Sequence, residues 1–254
     1  MIDHSFGFYG IAFFGIILFR YFVVAGGMYL YLYAPFSAES IDLNLRQISP
    51  TWRSIQHDIK LSVLSAVVFA IAAALIMSGY SLGYTRLYSH YQAYGLWYLG
   101  MSYVVVLILQ DAYFYFTHRL FHHPLLFRWL HQGHHRSNHP TPWTSFAFDP
   151  LEAIVQSLFL VATVFVIPLH FITLIAVLTT MTVWALLNHL GLDRLPRSFP
   201  HHWLGKWFIG PAHHSIHHLK YTLHYGLYFT FWDKLFGTQD LDYEQKLDRH
   251  QIDR

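Results

Sequence analysis

Histidines crowd one stretch of this chain, HRLFHHPLLFRWLHQGHHRSNH, from His118 to His139. They fall at 118, 122, 123, 131, 134, 135 and 139, in two sets separated by apolar turns. Two spacings stand out, His118-x-x-x-His122 and His131-x-x-His134-His135. On a helix, residues three or four apart share a face, so each set aims two or three imidazoles at one spot. Far downstream, His214-x-x-His217-His218 repeats the second spacing. Neutral imidazole ligates iron, copper, zinc and nickel. The three sets read as one metal site assembled from separated segments.

What surrounds them is apolar. The 254 residues are 54% hydrophobic and 19% aromatic, and only 12% are charged, against about 25% in a soluble domain. That balance indicates a membrane protein. A net charge of +2 and no basic tract speak against nucleic acid. The chain has no cysteine, which excludes disulfides, thiolate zinc sites, iron–sulfur clusters and a cysteine nucleophile. The start, MIDHSFGFYG, lacks the basic region of a cleavable signal peptide.

Taken in order, residues Phe6 to Tyr33 make a first span, with Arg20 snorkelling or facing protein. Ala34 to Lys60 is a polar loop with a surface helix. Leu61 to Gly79 is a second span, close to the ~20 residues a bilayer needs. A short Tyr-rich connection leads to a third, Gly95 to Phe116, which runs into His118. Asp111 lies two helical turns before that histidine. Leu151 to His189 is too long for one span, and Pro168 splits it into a hairpin that enters and leaves on one side. From Gly191 onward no span remains. Trp203, Trp207 and Phe208 form an interfacial segment.

The fold expected is an all-α integral membrane protein of about four to five membrane helices, hairpin included, under a histidine-rich helical cap. It reads as one domain over 1–254, with N-terminal spans and loops in 1–95 and a core in 96–240. Counting spans puts all three histidine sets and His189 on one side. Arg46, Arg53, Lys60, Arg119, Arg128 and Arg136 share that side, which the positive-inside bias makes cytoplasmic. The membrane is a bacterial inner membrane or the endoplasmic reticulum.

The three sets in this order, among membrane helices, resemble the fatty acid hydroxylase / sterol desaturase superfamily. The lead-in Asp111, Tyr115 and His118-Arg119, the segment PTPWTSFAFDPLE (140–152) and Asn188-His189 fit as well. AHHSIHH (212–218) followed by HYGLYFTFWDKLFGT (224–238) is similar to the tail of sterol C5-desaturases. The resemblance covers roughly 100–240. The chain departs from the family at His224, where Asn is common, at Asp149, where several members have His, and at Asp193, where fatty acid 2-hydroxylases carry a further histidine.

The resemblance implies two iron ions held by His118, His122, His131, His134, His135, His189, His214, His217 and His218. No catalytic residue beyond these ligands, and no other cofactor site, is expected. Ligating histidines donate their second N–H to carboxylates or carbonyls. Candidate supporting residues are Asp111, Asp193, His213 and His224, with Asp149, Glu152 and Asp233 as further carboxylates. His123, His139, His201 and His202 lie near the site in a supporting or surface role. His4, His57, His90, His170 and His250 read as structural.

Attack on an unactivated C–H bond with O₂ needs a metal that changes oxidation state, which zinc does not. Loss of one hydrogen and return of hydroxyl gives an alcohol; loss of a second hydrogen gives an alkene. The sequence carries no Gly-rich dinucleotide fingerprint. Electrons therefore come from a separate donor, a cytochrome b5-like protein or a ferredoxin with its reductase. The substrate is a lipid arriving from the bilayer: a sterol, an acyl chain or a relative of these. Competing readings are a histidine-rich membrane metal-binding or transport protein, with ligands midway along the spans, and a bis-histidine b-type cytochrome.

Overall fold

A computed structural model describes residues 5–33, 50–190 and 203–243. Four of its helices are long and apolar enough to cross a membrane. The first runs over Phe6–Tyr33: α1 (Phe6–Tyr21), a π-helical turn (Phe22–Gly26) and α2 (Gly27–Tyr33). The others are α3 (Trp52–Ser81), α4 (Leu96–Phe121) and α7 (Phe171–Asn188). Between α4 and α7 come α5 (Pro124–Leu130) and the shorter apolar α6 (Pro150–Val166). Past α7 lie α8 (Pro211–Lys220) and α9 (Phe231–Leu235).

Helix length explains how the membrane part carries the cap. At 1.5 Å per residue, the 30 residues of α3 extend about 45 Å, against a hydrocarbon core of about 30 Å. The helix starts at Trp52, where the Thr51 hydroxyl accepts the Ser54 N–H. Residues 52–60, expected within a polar loop carrying a separate surface helix, are instead the first turns of α3, standing beside the histidine segment. Ser54 and His57 reach across to Ser137 Oγ and the Gly133 carbonyl at 3.1 Å each. The rest of the expected loop, 34–49, lies outside the described residues.

Helices in lipid gain little from hiding apolar surface, so close packing and hydrogen bonds must join them. Tyr103 bonds to Thr180 Oγ1 at 2.7 Å, tying α4 to α7. Tyr113 donates to the Val155 carbonyl at 2.6 Å, tying α4 to α6. Each such bond contributes about 0.6–2 kcal/mol. Val106, Phe159, Val164 and Val177 fill the space between these helices. Arg20 faces protein: its guanidinium lies 5.4 Å from the Phe146 ring centroid.

Pro168 does split the late apolar stretch. α6 ends at Val166 and α7 begins at Phe171, where the His170 ring accepts the Ile172 N–H. The turn reaches the α3–α4 connection and pairs with it. Leu87–Tyr88 (β1) and Leu169–His170 (β2) form a two-stranded parallel sheet, so the molecule is not purely helical. The strands pair because both loops meet at the end of the bundle away from the histidines, where their amides need partners. The hairpin therefore leaves the histidine end with Pro150 and returns to it with His189.

Candidate metal centre

The nine histidines converge at one end of the bundle, in two groups. The first contains His118, His122, His131, His135 and His217; the second contains His134, His189, His214 and His218. Within each group the nearest ring nitrogens all lie within 4.8 Å of one another. Eight of the nine are buried and His122 is nearly so.

This division differs from the expectation that each sequence set addresses one spot. His118 and His122, four apart at the end of α4, do stay together. On α8, His214 and His218 share a face and enter the second group, while His217, about 100° round the helix, enters the first. The middle set does not lie on an α-helix. His131 ends α5, Gly133 turns the chain, and His134–Arg136 is a 3₁₀ turn. His131 and His135 therefore face one group and His134 the other. Gly133 is required here, because a Cβ would run into the carboxylate of Asp149 that accepts its N–H at 2.6 Å.

Five rings are fixed from behind. Nδ1 of His118 donates to the Tyr225 carbonyl at 3.0 Å, and that of His134 to Ala147 at 3.0 Å. His189 donates to Ala185 at 2.6 Å and His217 to Leu223 at 2.7 Å. His131 Nδ1 meets Glu152 Oε2 at 2.8 Å. A carbonyl can only accept, so the Nδ1 of four of these rings carries the proton and Nε2 turns a lone pair inward. Glu152 sets His131 the same way where it accepts that ring's Nδ1 proton. Where Nε2 atoms meet they lie 3.0–3.1 Å apart: His118 with His131, His135 with His217, and His214 with both His189 and His218.

Burial keeps the rings uncharged. Loss of water pushes His134 down to about 4 and His189 to about 3. His131, His135 and His218 are pushed well below the usual histidine range, first by burial and then by neighbouring histidines. His122 Nε2, His135 Nδ1 and His218 Nδ1 are buried with no hydrogen-bond partner. Buried ring nitrogens without a partner are costly, and a cation held among the rings would engage those that face inward. The set fits a pair of transition-metal ions with nitrogen preference and contains no thiolate.

The carboxylates act at different removes. Glu152 touches a group member directly, through His131. Asp111 does not; it accepts the N–H groups of Tyr228 and Phe229 at 2.7 and 3.2 Å. Asp233 accepts those of Tyr225 and Gly226 at 2.8 and 2.9 Å and the Thr238 hydroxyl at 2.7 Å. Together they lock the loop whose Tyr225 carbonyl orients His118. Gly226 lets that loop close, since a Cβ there would sit 2.7 Å from the Phe229 carbonyl and 2.9 Å from Asp233.

His213 and His224 are buried but stand outside both groups, packed on each other and on Tyr243. His123 is an exposed cap on α5, and His139 is exposed. Asp193, His201 and His202 lie outside the described residues. Asp58 was missed from the sequence. It is buried in α3 and accepts hydroxyl bonds from Ser137 and Thr144 at 2.7 Å each, anchoring the segment that follows His135. In the polar stretch TWRSIQHDIK nothing set it apart.

Residues 103–238 match the sequence profile of the fatty acid hydroxylase family. This chain belongs to the fatty acid hydroxylase family. Among its relatives, a Delta(7)-sterol 5(6)-desaturase of Gibberella zeae is 30% identical over 184 residues, covering 72% of this chain and 55% of that protein. The human lathosterol oxidase is 31% identical over 186 residues, covering 72% and 60%. The rat lathosterol oxidase is 36% identical over 159 residues, covering 61% and 51%. This family member thus spans between half and three-fifths of the length of the relatives it matches. No solved structure matches it.

Proposed function

We propose that this protein is a membrane di-iron oxygenase that desaturates or hydroxylates a sterol-like lipid, using O₂ and two electrons. The observation that carries the reading is the pair of adjacent all-imidazole groups at one end of the membrane helices. The sterol assignment leans on relatives named as sterol desaturases and lathosterol oxidases. A transporter would need ligands along a path between the two faces; here they gather at one end.

His118, His122, His131, His135 and His217 would hold one iron, and His134, His189, His214 and His218 the other. Bound iron would supply O₂ activation and the oxidising equivalents for C–H cleavage. The chain's own part is to set this up. Glu152 and the carbonyls of Tyr225, Leu223, Ala147 and Ala185 hold the rings in the ligating tautomer. Phe114, Phe148 and Leu227 line a cavity of about 40 Å³ against rings of both groups. That space exceeds the roughly 10–15 Å³ that one water needs by the same measure, and is far too small for a lipid. A lipid must therefore displace these apolar side chains, which excludes water from the reacting carbon.

The arginines near the histidine end support a site on the cytoplasmic face, by the positive-inside bias, in a bacterial inner membrane or the endoplasmic reticulum. Electrons come from a separate carrier. The test is lipid profiling of cells expressing wild type against His134→Ala. A product two hydrogens lighter than its precursor, or one oxygen heavier, appears only with wild type and names the reaction. Identical profiles across all lipid classes would contradict the proposal.

A further inference from the structure

We infer that Tyr221 is the port through which electrons reach the centre, and that the basic surface around it docks a small one-electron carrier protein with an acidic contact face. This rests on the oxygenase reading.

Tyr221 closes α8, three residues after His218, with φ 61° in the left-handed region. Glycine or asparagine ordinarily takes that position; a tyrosine persists there only when its surroundings hold it. The Tyr225 hydroxyl holds its carbonyl at 3.1 Å. What the conformation achieves is placement of the ring. It stands edge-on to His135, centroids 4.6 Å apart, and packs on Phe127 at 5.6 Å. Its hydroxyl reaches the exposed Asn138. One partly exposed aromatic ring thus spans from solvent to a member of the first group. His135 in turn lies 4.6 Å from His218 of the second group, so both groups are served.

The rim is positive. Arg128 follows Phe127, Arg136 follows His135 and Lys220 precedes Tyr221, and all three are exposed. The segments 123–139 and 219–223 contain no carboxylate. Lys220 is paired with the buried Asp240 at 3.2 Å, so the net charge of the rim comes from Arg128 and Arg136. Such a field attracts and orients an acidic partner and weakens with salt. Each docking event oxidises one carrier by one electron and reduces the centre by one. Two events supply the pair that O₂ reduction needs, and no proton or leaving group crosses the contact.

The probe is the soluble haem domain of a cytochrome b5, mixed with the full chain in nanodiscs. Its Kd is measured against ionic strength, and lipid conversion is driven either by the reduced probe or by dithionite. Arg136→Glu is expected to weaken the Kd at least tenfold at low salt. Tyr221→Asn keeps a residue suited to the backbone but removes the ring. It is expected to lower the ratio of probe-driven to dithionite-driven rate at least tenfold, while Tyr221→Phe restores that ratio. A wild-type ratio in Tyr221→Asn, or an unchanged Kd in Arg136→Glu, overturns the proposal. Wild type that is inert even with dithionite would instead sink the oxygenase reading, and the Kd comparison would still decide the docking face.

Discussion

His118 and His131 hold their Nε2 atoms 3.0 Å apart although both Nδ1 atoms are already engaged, one by the Tyr225 carbonyl and the other by Glu152. Where Glu152 accepts the His131 Nδ1 proton, no proton is left to sit between the two rings. The arrangement is that of two ligands waiting on one cation, and Glu152 maintains it. Glu152→Ala should lower metal affinity or activity 10- to 100-fold, the usual cost of losing such a support. The loss should fall on the first group, leaving about one metal per chain, as read by elemental analysis.

Asp58 is the counterpart on the other side of the cap. Asp58→Ala strands the Ser137 and Thr144 hydroxyls in a buried place. Each bond to a charged acceptor contributes about 1.5–3 kcal/mol. Thermal unfolding in detergent should fall clearly below wild type, and metal retention should fall with it. An unchanged midpoint would show that the anchor is dispensable.

Gly226→Ala tests the loop behind His118. The added methyl meets the Phe229 carbonyl and Asp233, an overpacking that costs about 1–3 kcal/mol. Because the neighbouring Tyr225 carbonyl orients His118, metal in the first group should weaken as well. Gly237→Ala, at a residue with open space but φ 67°, should destabilise without altering metal content.

Acid should unfold the metal-free protein. His134 titrates near 6.5 in an unfolded chain but is held at about 4 in the fold. As pH falls below 6.5 the unfolded state gains a proton that the fold refuses. Stability is therefore full above about pH 7 and declines between 6.5 and 4, by up to about 3 kcal/mol from this ring alone. His131, His135 and His218 are displaced the same way, so the slope should exceed one proton. Denaturant midpoints at pH 7.5, 6 and 5 measure it; a flat profile would contradict it.

Much of this was legible in the residues. Spacing alone marks eight of the nine histidines, and the resemblance adds His189, because a ligand set is written in identity and interval. How the rings divide between two groups was not legible, since adjacent residues such as His134 and His135 separate only once a 3₁₀ turn replaces the helix. Asp111 sits on the expected helix, yet its partners are backbone amides more than a hundred residues away. Asp58 was hidden because 34–60 read as a polar loop with a surface helix, rather than in part as the buried start of α3. Tyr221 could not be found because its role depends on a left-handed backbone that local sequence does not favour.

The central claim is that two imidazole groups hold two irons side by side. Elemental analysis of protein purified from iron-replete cells, with Mössbauer spectra of the same sample, tests it most directly. The account predicts two irons per chain, one for each group, magnetically coupled when oxidised. One iron per chain, uncoupled irons, or zinc in their place would contradict it.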